Sequence, residues 1–188
     1  ISRIAVNAAG DIFVLENKPS TGARVLRFAS TGSYTSTISI GQMGTNSTCT
    51  TNGSLNCITD IKFDSSSNLY VLGQYRLKKF SGSGDTQIGS WAYGGYLLAV
   101  DNTGRAYMSS RTNSIAMFNT VNSTELSWGS AGTDNGQFAT AGGLALDASG
   151  NVYVQDAGNN RIQKFSSGGT YISQWGSAGD GAEQFNFD

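Results

Sequence analysis

The chain has 188 residues, of which 38% are hydrophobic and only 13% charged, with 12 Lys plus Arg against 13 Asp plus Glu and no histidine. An acidic pI of about 5.3 leaves no basic surplus for phosphate contacts, which argues against a nucleic-acid partner. The missing imidazoles remove every Ser-His and Cys-His nucleophile arrangement together with the commonest metal ligand. The apolar fraction suffices for a core, and no apolar run reaches membrane-spanning length, so no membrane insertion is expected.

One pattern is spelled four times along the chain, in repeats at approximately 1–57, 58–94, 95–140 and 141–188 that are taken together as a single repeat domain, 1–188. In the first copy Ile4-Ala-Val6 alternates, turns through Asn7-Ala-Ala-Gly-Asp11 and resumes at Ile12-Phe-Val14, which predicts a β-hairpin. Arg24–Phe28 predicts a third strand and the stretch ending at Ile38 a fourth. The second copy repeats this with Ile61–Val71, Arg76–Phe80 and Trp91, and the third with Leu98–Met108, Ser114–Phe118 and Trp128. The fourth is the clearest: Leu144–Asp156 around the turn Asp147-Ala-Ser-Gly-Asn151, then Arg161-Ile-Gln-Lys-Phe165, then Thr170–Trp175. An Asp or Asn can bond its own backbone as each turn opens, and the Gly or Asn near its end tolerates the left-handed conformation. Ile162 and Phe165 stand three positions apart, so alternation is imperfect there, and β-branched and aromatic content carries the strand assignment. Four short antiparallel strands per copy, at a period of about 40 to 50 residues, predict an all-β propeller or partial propeller of four-stranded antiparallel blades.

Variation falls in the connections. The first is long and holds Cys49-Thr-Thr-Asn-Gly-Ser-Leu-Asn-Cys57, the second is the short Ala92-Tyr-Gly-Gly-Tyr96, and the third and fourth, Gly129–Phe138 and Gly176–Phe185, share Gly-Ser-Ala-Gly at their start and Gln-Phe at their end. A local Cys49–Cys57 disulfide is the economical reading; it implies an oxidising compartment and contributes about 2 to 3 kcal/mol. Asn46, Asn52 and Asn122 stand in glycosylation sequons.

The residues Gly136-Gln-Phe138, Gly143-Leu-Ala-Leu-Asp147, Gly150-Asn-Val-Tyr-Val-Gln-Asp156, Asn159-Asn-Arg-Ile-Gln-Lys-Phe165 and Trp175-Gly176 resemble the NHL repeat, and the resemblance extends over essentially the whole chain. It implies a propeller. It leaves function open, because similar repeats serve as protein-binding modules, RNA-binding domains, extracellular sensors and, in one branch, a metal-dependent lyase whose metal site depends on histidines. Asn7 replaces the usual strand-end Asp, Gly73 and Ser110 replace the second Asp, and Ser114 replaces the Arg. Asp156 can pair with Arg161 and Glu16 with Arg24, whereas Arg76 and Ser114 lack that partnership. The chain holds four repeat periods, fewer than such propellers usually have, which leaves three arrangements: part of a longer propeller, a small ring, or an open array joining neighbouring chains.

Asp64, Asp101 and Asp147 recur at one turn position, which points to turn capping rather than acid–base catalysis; neither a catalytic residue nor a cofactor is expected, and no calcium-binding pattern supports a metal. Trp91, Trp128 and Trp175, with Ile38 in the first copy, are read as filler between adjacent sheets rather than a ligand-stacking row. Arg76-Leu-Lys-Lys79 is read as a solvated strand edge. The candidate binding residues lie in the connectors: Tyr93, Tyr96, Gln137, Phe138, Gln184 and Phe185. Together these features predict an extracellular or cell-surface, non-catalytic module that binds a protein or glycan. The alternatives are a filament or appendage subunit that self-associates through blade edges, and a metal-dependent lyase or hydrolase disfavoured by the absence of His.

Overall fold

A computed structural model describes residues 3–18, 22–40, 58–110 and 113–187. They form sixteen strands in four separate four-stranded antiparallel sheets, each in simple sequential order. Blade I comprises β1 (Arg3–Val6), β2 (Ile12–Lys18), β3 (Gly22–Phe28) and β4 (Tyr34–Ile38). Blade II comprises β5 (Ile58–Phe63), β6 (Leu69–Gly73), β7 (Leu77–Phe80) and β8 (Gln87–Trp91). Blade III comprises β9 (Leu98–Val100), β10 (Arg105–Ser109), β11 (Ile115–Asn119) and β12 (Glu125–Trp128), and blade IV β13 (Ala141–Leu146), β14 (Val152–Asp156), β15 (Arg161–Phe165) and β16 (Tyr171–Trp175). This meander of four short strands is the propeller blade anticipated from the repeat. The chain divides into two compact units, residues 1–96 with blades I and II and residues 97–188 with blades III and IV.

The first hairpin of every blade turns by one mechanism. Asp147 Oδ1 accepts the amides of Ser149 and Asn151, both at 2.9 Å, and Asp64 and Asp101 do the same for the residues two and four positions on. Asn7 Oδ1 accepts from Ala9 and Asp11, so the amide oxygen does the carboxylate's work in blade I. The chain then passes through the left-handed region at Gly10, Gly104 and Gly150 (φ 83, 83 and 79°), where glycine has no steric cost, and at Ser67 (φ 61°) in blade II.

Within residues 1–96 the core lies between the two sheets. Phe13, Leu15, Val25, Ile38 and Ile40 of blade I and its trailing residues pack against Ile58, Ile61, Leu69, Val71 and Phe80 of blade II, all 4% exposed or less. The residue closing β4, Ile38, seats its side chain on the β7–β8 turn: a Cβ added at Gly84 would overlap Ile38 Cδ1. Arg27 Nη1 crosses the same junction to the Ser83 carbonyl at 3.2 Å.

Within residues 97–188 the same junction recurs with different residues. Tyr107, Ile115 and Met117 of blade III face Val152, Val154 and Phe165 of blade IV. Trp128 closes β12 and packs on Phe165, at 5.9 Å between ring centroids, and on Gly169, whose Cβ would stand 2.7 Å from the indole. Burial pushes the Tyr107 phenol up to about 12, so it stays protonated and donates to the Ser167 carbonyl of the next blade's turn at 3.3 Å.

Two expectations change on contact with this geometry. Arg76–Lys79 is not a solvated edge, because β7 pairs with β6 on one side and β8 on the other. Lys78 is buried and donates from Nζ to the Ile40 carbonyl at 2.6 Å, and Lys79 lies 3.2 Å from Asp64. A long apolar stem lets lysine lie along the sheet while its amine reaches an oxygen at the rim. The tryptophan row is also not uniform, since Trp128 seals a junction while Trp175 remains 42% exposed. Among the described residues no helix is long and apolar enough to cross a membrane.

Candidate binding face

Blade IV carries the densest polar constellation among the described residues, and it binds the connector rather than a ligand. Asp156, Arg161 and Gln163 are all buried. Arg161 donates to Asp156 Oδ2 at 2.8 Å, to Gln174 Oε1 at 2.7 Å, and to the carbonyls of Asp134 and Gln137, each at 2.9 Å. Gln163 donates to the Gln137 carbonyl at 2.6 Å and accepts from the Gly136 amide at 2.9 Å. Asp156 accepts the Ala139 amide and the Asn159 side chain at 2.9 and 2.8 Å. A buried ion pair is tolerated only when its remaining hydrogen-bonding capacity is met, and here backbone of residues 134–139 meets it. The cluster therefore pins the third connector onto the β14–β15 turn and offers no free acid or base.

The fourth connector repeats the third. Parallel bridges join Ala131 to Phe138 and Ala178 to Phe185. Gln137 Oε1 accepts the Asp134 amide at 3.1 Å, and Gln184 Oε1 accepts the Gly181 amide at 2.9 Å, so both glutamine side chains are used in shaping their own loops. Phe138 is 0% exposed and packs on Phe165 at 5.7 Å, which makes it a core ring with no surface to present to a ligand. Phe185 is half-buried and stacks on Phe187 at 4.8 Å. An open groove of about 550 Å³ lies beside the β14–β15 turn, lined by Thr140, Gln155, Asn186, Phe187 and small residues, with no titratable side chain in its wall.

The turn aspartates are likewise spent. Asn151, Tyr153 and two turn amides bond the Asp147 carboxyl, with the Asn151 side chain contributing most, and hold it down at about 2. Burial opposes ionisation of Asp101, but bonds from Thr103 and Arg105 outweigh it and keep the group below its ordinary value. A carboxylate held this low is neither a useful base nor a proton donor near neutral pH. Among the described residues no three of His, Cys, Asp and Glu stand together as a metal site would require.

Aromatic side chains gather at the loop end of blade II. The second connector lies directly on the β6–β7 turn: a Cβ at Gly94 would overlap Gln74 and the Tyr75 amide, Gly95 donates to the Gly73 carbonyl at 3.1 Å, and Thr59 Oγ1 donates to the Gly95 carbonyl at 2.7 Å. Tyr75 from the turn and Tyr93 and Tyr96 from the connector thus share one end of the blade, with Tyr75 and Tyr96 44% and 37% exposed and Tyr93 half-buried. Tyr75 was not anticipated from sequence, because its only signal was a place in a short turn opposite the connector. Asn122 sits exposed on the β11–β12 turn, where Oδ1 accepts the Thr124 hydroxyl at 2.7 Å. Cys49, Cys57, Asn46 and Asn52 lie outside the described residues.

The family model of the NHL repeat matches residues 138–165. The first three strands of blade IV match the NHL repeat. Its matched span runs from Phe138 to Phe165, the two rings that meet in the core, and includes the Asp156–Arg161 pair. No curated protein matches the chain. Among solved structures, a streptogramin B lyase superposes with a TM-score of 0.63 at 12% identity, over 92% of this chain and 53% of that one. The virginiamycin B lyase from Staphylococcus aureus gives 0.62 at 10%, over 90% and 53%. A protein of unknown function from Bacteroides caccae gives 0.60 at 11%, over 92% and 59%. At these identities the likeness is one of fold, that of a β-propeller, and the chain spans a little over half the length of each of these structures.

Proposed function

We propose that this NHL-type chain is a non-catalytic interaction module, displayed outside the cell, that binds a protein or glycan at the loop end of blade II. The observation that carries the reading is the grouping of Tyr75, Tyr93 and Tyr96 on two loops clamped together by Gly94 and Thr59. Tyrosine presents a flat apolar ring and a hydroxyl at small entropic cost, which suits both sugar faces and protein surfaces. Rigid blades carrying varied loops are the usual place for such contacts. The non-catalytic reading is supported by the turn aspartates Asp64, Asp101 and Asp147 and by Asp156, which are taken up by their own turns and by the connector, and by the absence of histidine. The low-charge, hydroxyl- and amide-rich composition supports display outside the cell.

The test is retention of the chain on a glycan array and on surface extracts of the source cells, compared with Tyr75→Ala/Tyr96→Ala. Loss of retention by at least about tenfold with an unchanged melting temperature is expected for a tyrosine-centred site. Undiminished retention of the double variant would remove blade II as the binding face.

A further inference from the structure

The β11–β12 turn of blade III carries a side-chain amide that the fold leaves unused. Asparagines in other loops spend their side-chain nitrogen on the loop itself. Asn68 Nδ2 donates to Asp64, Asn151 Nδ2 to Asp147, and Asn159 Nδ2 to Asp156 and the Gly132 carbonyl. Asn122 behaves differently. Its Oδ1 accepts from the Thr124 amide at 3.2 Å and from the Thr124 hydroxyl at 2.7 Å, and among the described residues its Nδ2 has no acceptor. A backbone amide can only donate, so the atom facing it is the carbonyl oxygen, which leaves the amino group as the open end of the side chain.

The turn is held by other bonds. Asn119 Oδ1 accepts the amides of Val121 and Asn122 at 2.9 and 3.4 Å. Thr120 donates from its amide and its hydroxyl to the Gly104 carbonyl, at 3.1 and 2.8 Å, and Ser123 takes the left-handed conformation at φ 56°. Val121, Asn122, Ser123 and Thr124 are all exposed, Val121 at 77%. A substituent on Nδ2 therefore displaces no bond of the turn, and it has an exposed isopropyl group beside it to cover.

The last turn of blade IV shows where a side chain at this place goes. Gly168 stands directly before the left-handed Gly169, as Asn122 stands before Ser123. A Cβ on Gly169 would stand 2.7 Å from Trp128, whereas a Cβ on Gly168 would meet only Ser166 of its own turn, at 3.9 Å. The place occupied by Asn122 thus stands clear of the packed seat next to it.

Asn122-Ser-Thr124 is an acceptor sequence for N-linked sugar, in which the asparagine amide and the hydroxyl two residues on are read together. We infer that Asn122 is a modification site, whose Nδ2 takes an N-linked glycan from an oligosaccharide carried on a lipid diphosphate. Nδ2 forms the bond to the anomeric carbon, the bond from that carbon to the diphosphate oxygen breaks with its electron pair on the oxygen, and Nδ2 gives up a proton to a base of the transferase. The inference rests on the reading of the chain as displayed outside the cell, because such transfer occurs along the export route.

The test is passage of the 188-residue chain, behind a cleavable leader, through the secretory pathway of cultured eukaryotic cells, in an Asn46→Gln/Asn52→Gln background that silences the other two sequons. Peptide mapping by mass spectrometry, on chain from cells and medium together, is expected to find sugar on Asn122, and enzymatic release of the glycan to leave Asp there. Asn122→Gln and Thr124→Ala are expected to abolish the modification and Thr124→Ser to retain part of it. Both side chains are exposed, so each variant is expected to keep the parent's circular dichroism. Chain that passes through the pathway without sugar on Asn122, or that loses its fold when the sugar is attached, would overturn the inference. Display is tested separately, by labelling intact source cells with a membrane-impermeant lysine reagent. A chain glycosylated in the secreting cells but unlabelled on the source cells would sink the display reading, and with it natural use of the site, while the acceptor geometry stood.

Discussion

The junction of blades I and II and that of blades III and IV perform one task with different chemistry. Between I and II the closing residue is Ile38, seated on Gly84 within an aliphatic cluster, and the polar support is Arg27 reaching Ser83. Between III and IV it is Trp128 on Gly169, with Phe138 of the connector driven in behind it and a buried Asp156–Arg161–Gln163 network locking the connector in place. In blade I the residues at the Asp156 and Arg161 positions are Glu16 and Arg24, which pair at 2.6 Å while remaining over a third exposed. The propeller repeat therefore fixes where a blade must be filled and leaves open whether a ring, an aliphatic side chain or a polar network fills it.

The sharpest break between the two regions is at the connector phenylalanines. Phe138→Ala empties a fully buried ring position and is expected to cost about 3 to 5 kcal/mol, whereas Phe185→Ala, at the same place in the fourth connector but half-buried, costs under about 1.5 kcal/mol in dilute protein. Urea denaturation of both variants measures this, and equal losses would mean that the two connectors bear equal loads. Next comes the ion pair: Asp156→Ala leaves Arg161 buried without its anion and is expected to cost about 3 kcal/mol. Glu16→Ala separates a solvated pair and costs under about 1 kcal/mol.

Those contrasts also mark what the sequence could reveal. The hairpins were legible because Asp147-Ala-Ser-Gly-Asn151 and its copies couple a side-chain acceptor to a left-handed residue, and both act locally. The third strand was harder. Arg161, Gln163 and Phe165 share the buried face of β15, so alternation there is regular in burial and irregular only in polarity. No apolar pattern shows a buried face made of an arginine and a glutamine, because what licenses it is a connector some 25 positions away in sequence. Phe138 and Phe185 are spelled alike and differ only in whether a blade covers them, and the same holds for Trp128 and Trp175. Lys78 looked solvated because its acceptor, the Ile40 carbonyl, is 38 residues distant.

A finer comparison sets the two turn glycines side by side. Gly169→Ala places a methyl against the Trp128 indole in a left-handed backbone and is expected to cost about 2 kcal/mol. Gly32→Ala carries the same backbone strain without the collision and costs about 1 kcal/mol. Urea denaturation of both variants measures the difference, and equal losses would mean that the indole yields to the methyl.

The smallest effect concerns acid. The folded-state value of Asp147, about 2, lies below the ordinary carboxylate value of about 3.9 in an unfolded chain. Its contribution to stability is therefore fully present above about pH 4 and is lost as pH falls toward 2, because the unfolded chain takes up the proton first. Asp101 and Asp11 are shifted in the same direction, the first by bonds from Thr103 and Arg105 that outweigh its burial and the second by Arg27. Acid destabilisation is thus shared among the turns. Asp147→Asn should leave the first hairpin of blade IV intact, since Asn7 Oδ1 accepts the corresponding amides in blade I at 3.1 and 2.9 Å. The variant is expected to be slightly less stable at neutral pH, through loss of the charged acceptor for Asn151, and to show a shallower fall in melting temperature between pH 4 and pH 2. An unchanged acid limb would show that the carboxylate is bonded equally well in the unfolded chain, and that the turn contributes geometry without electrostatic stabilisation.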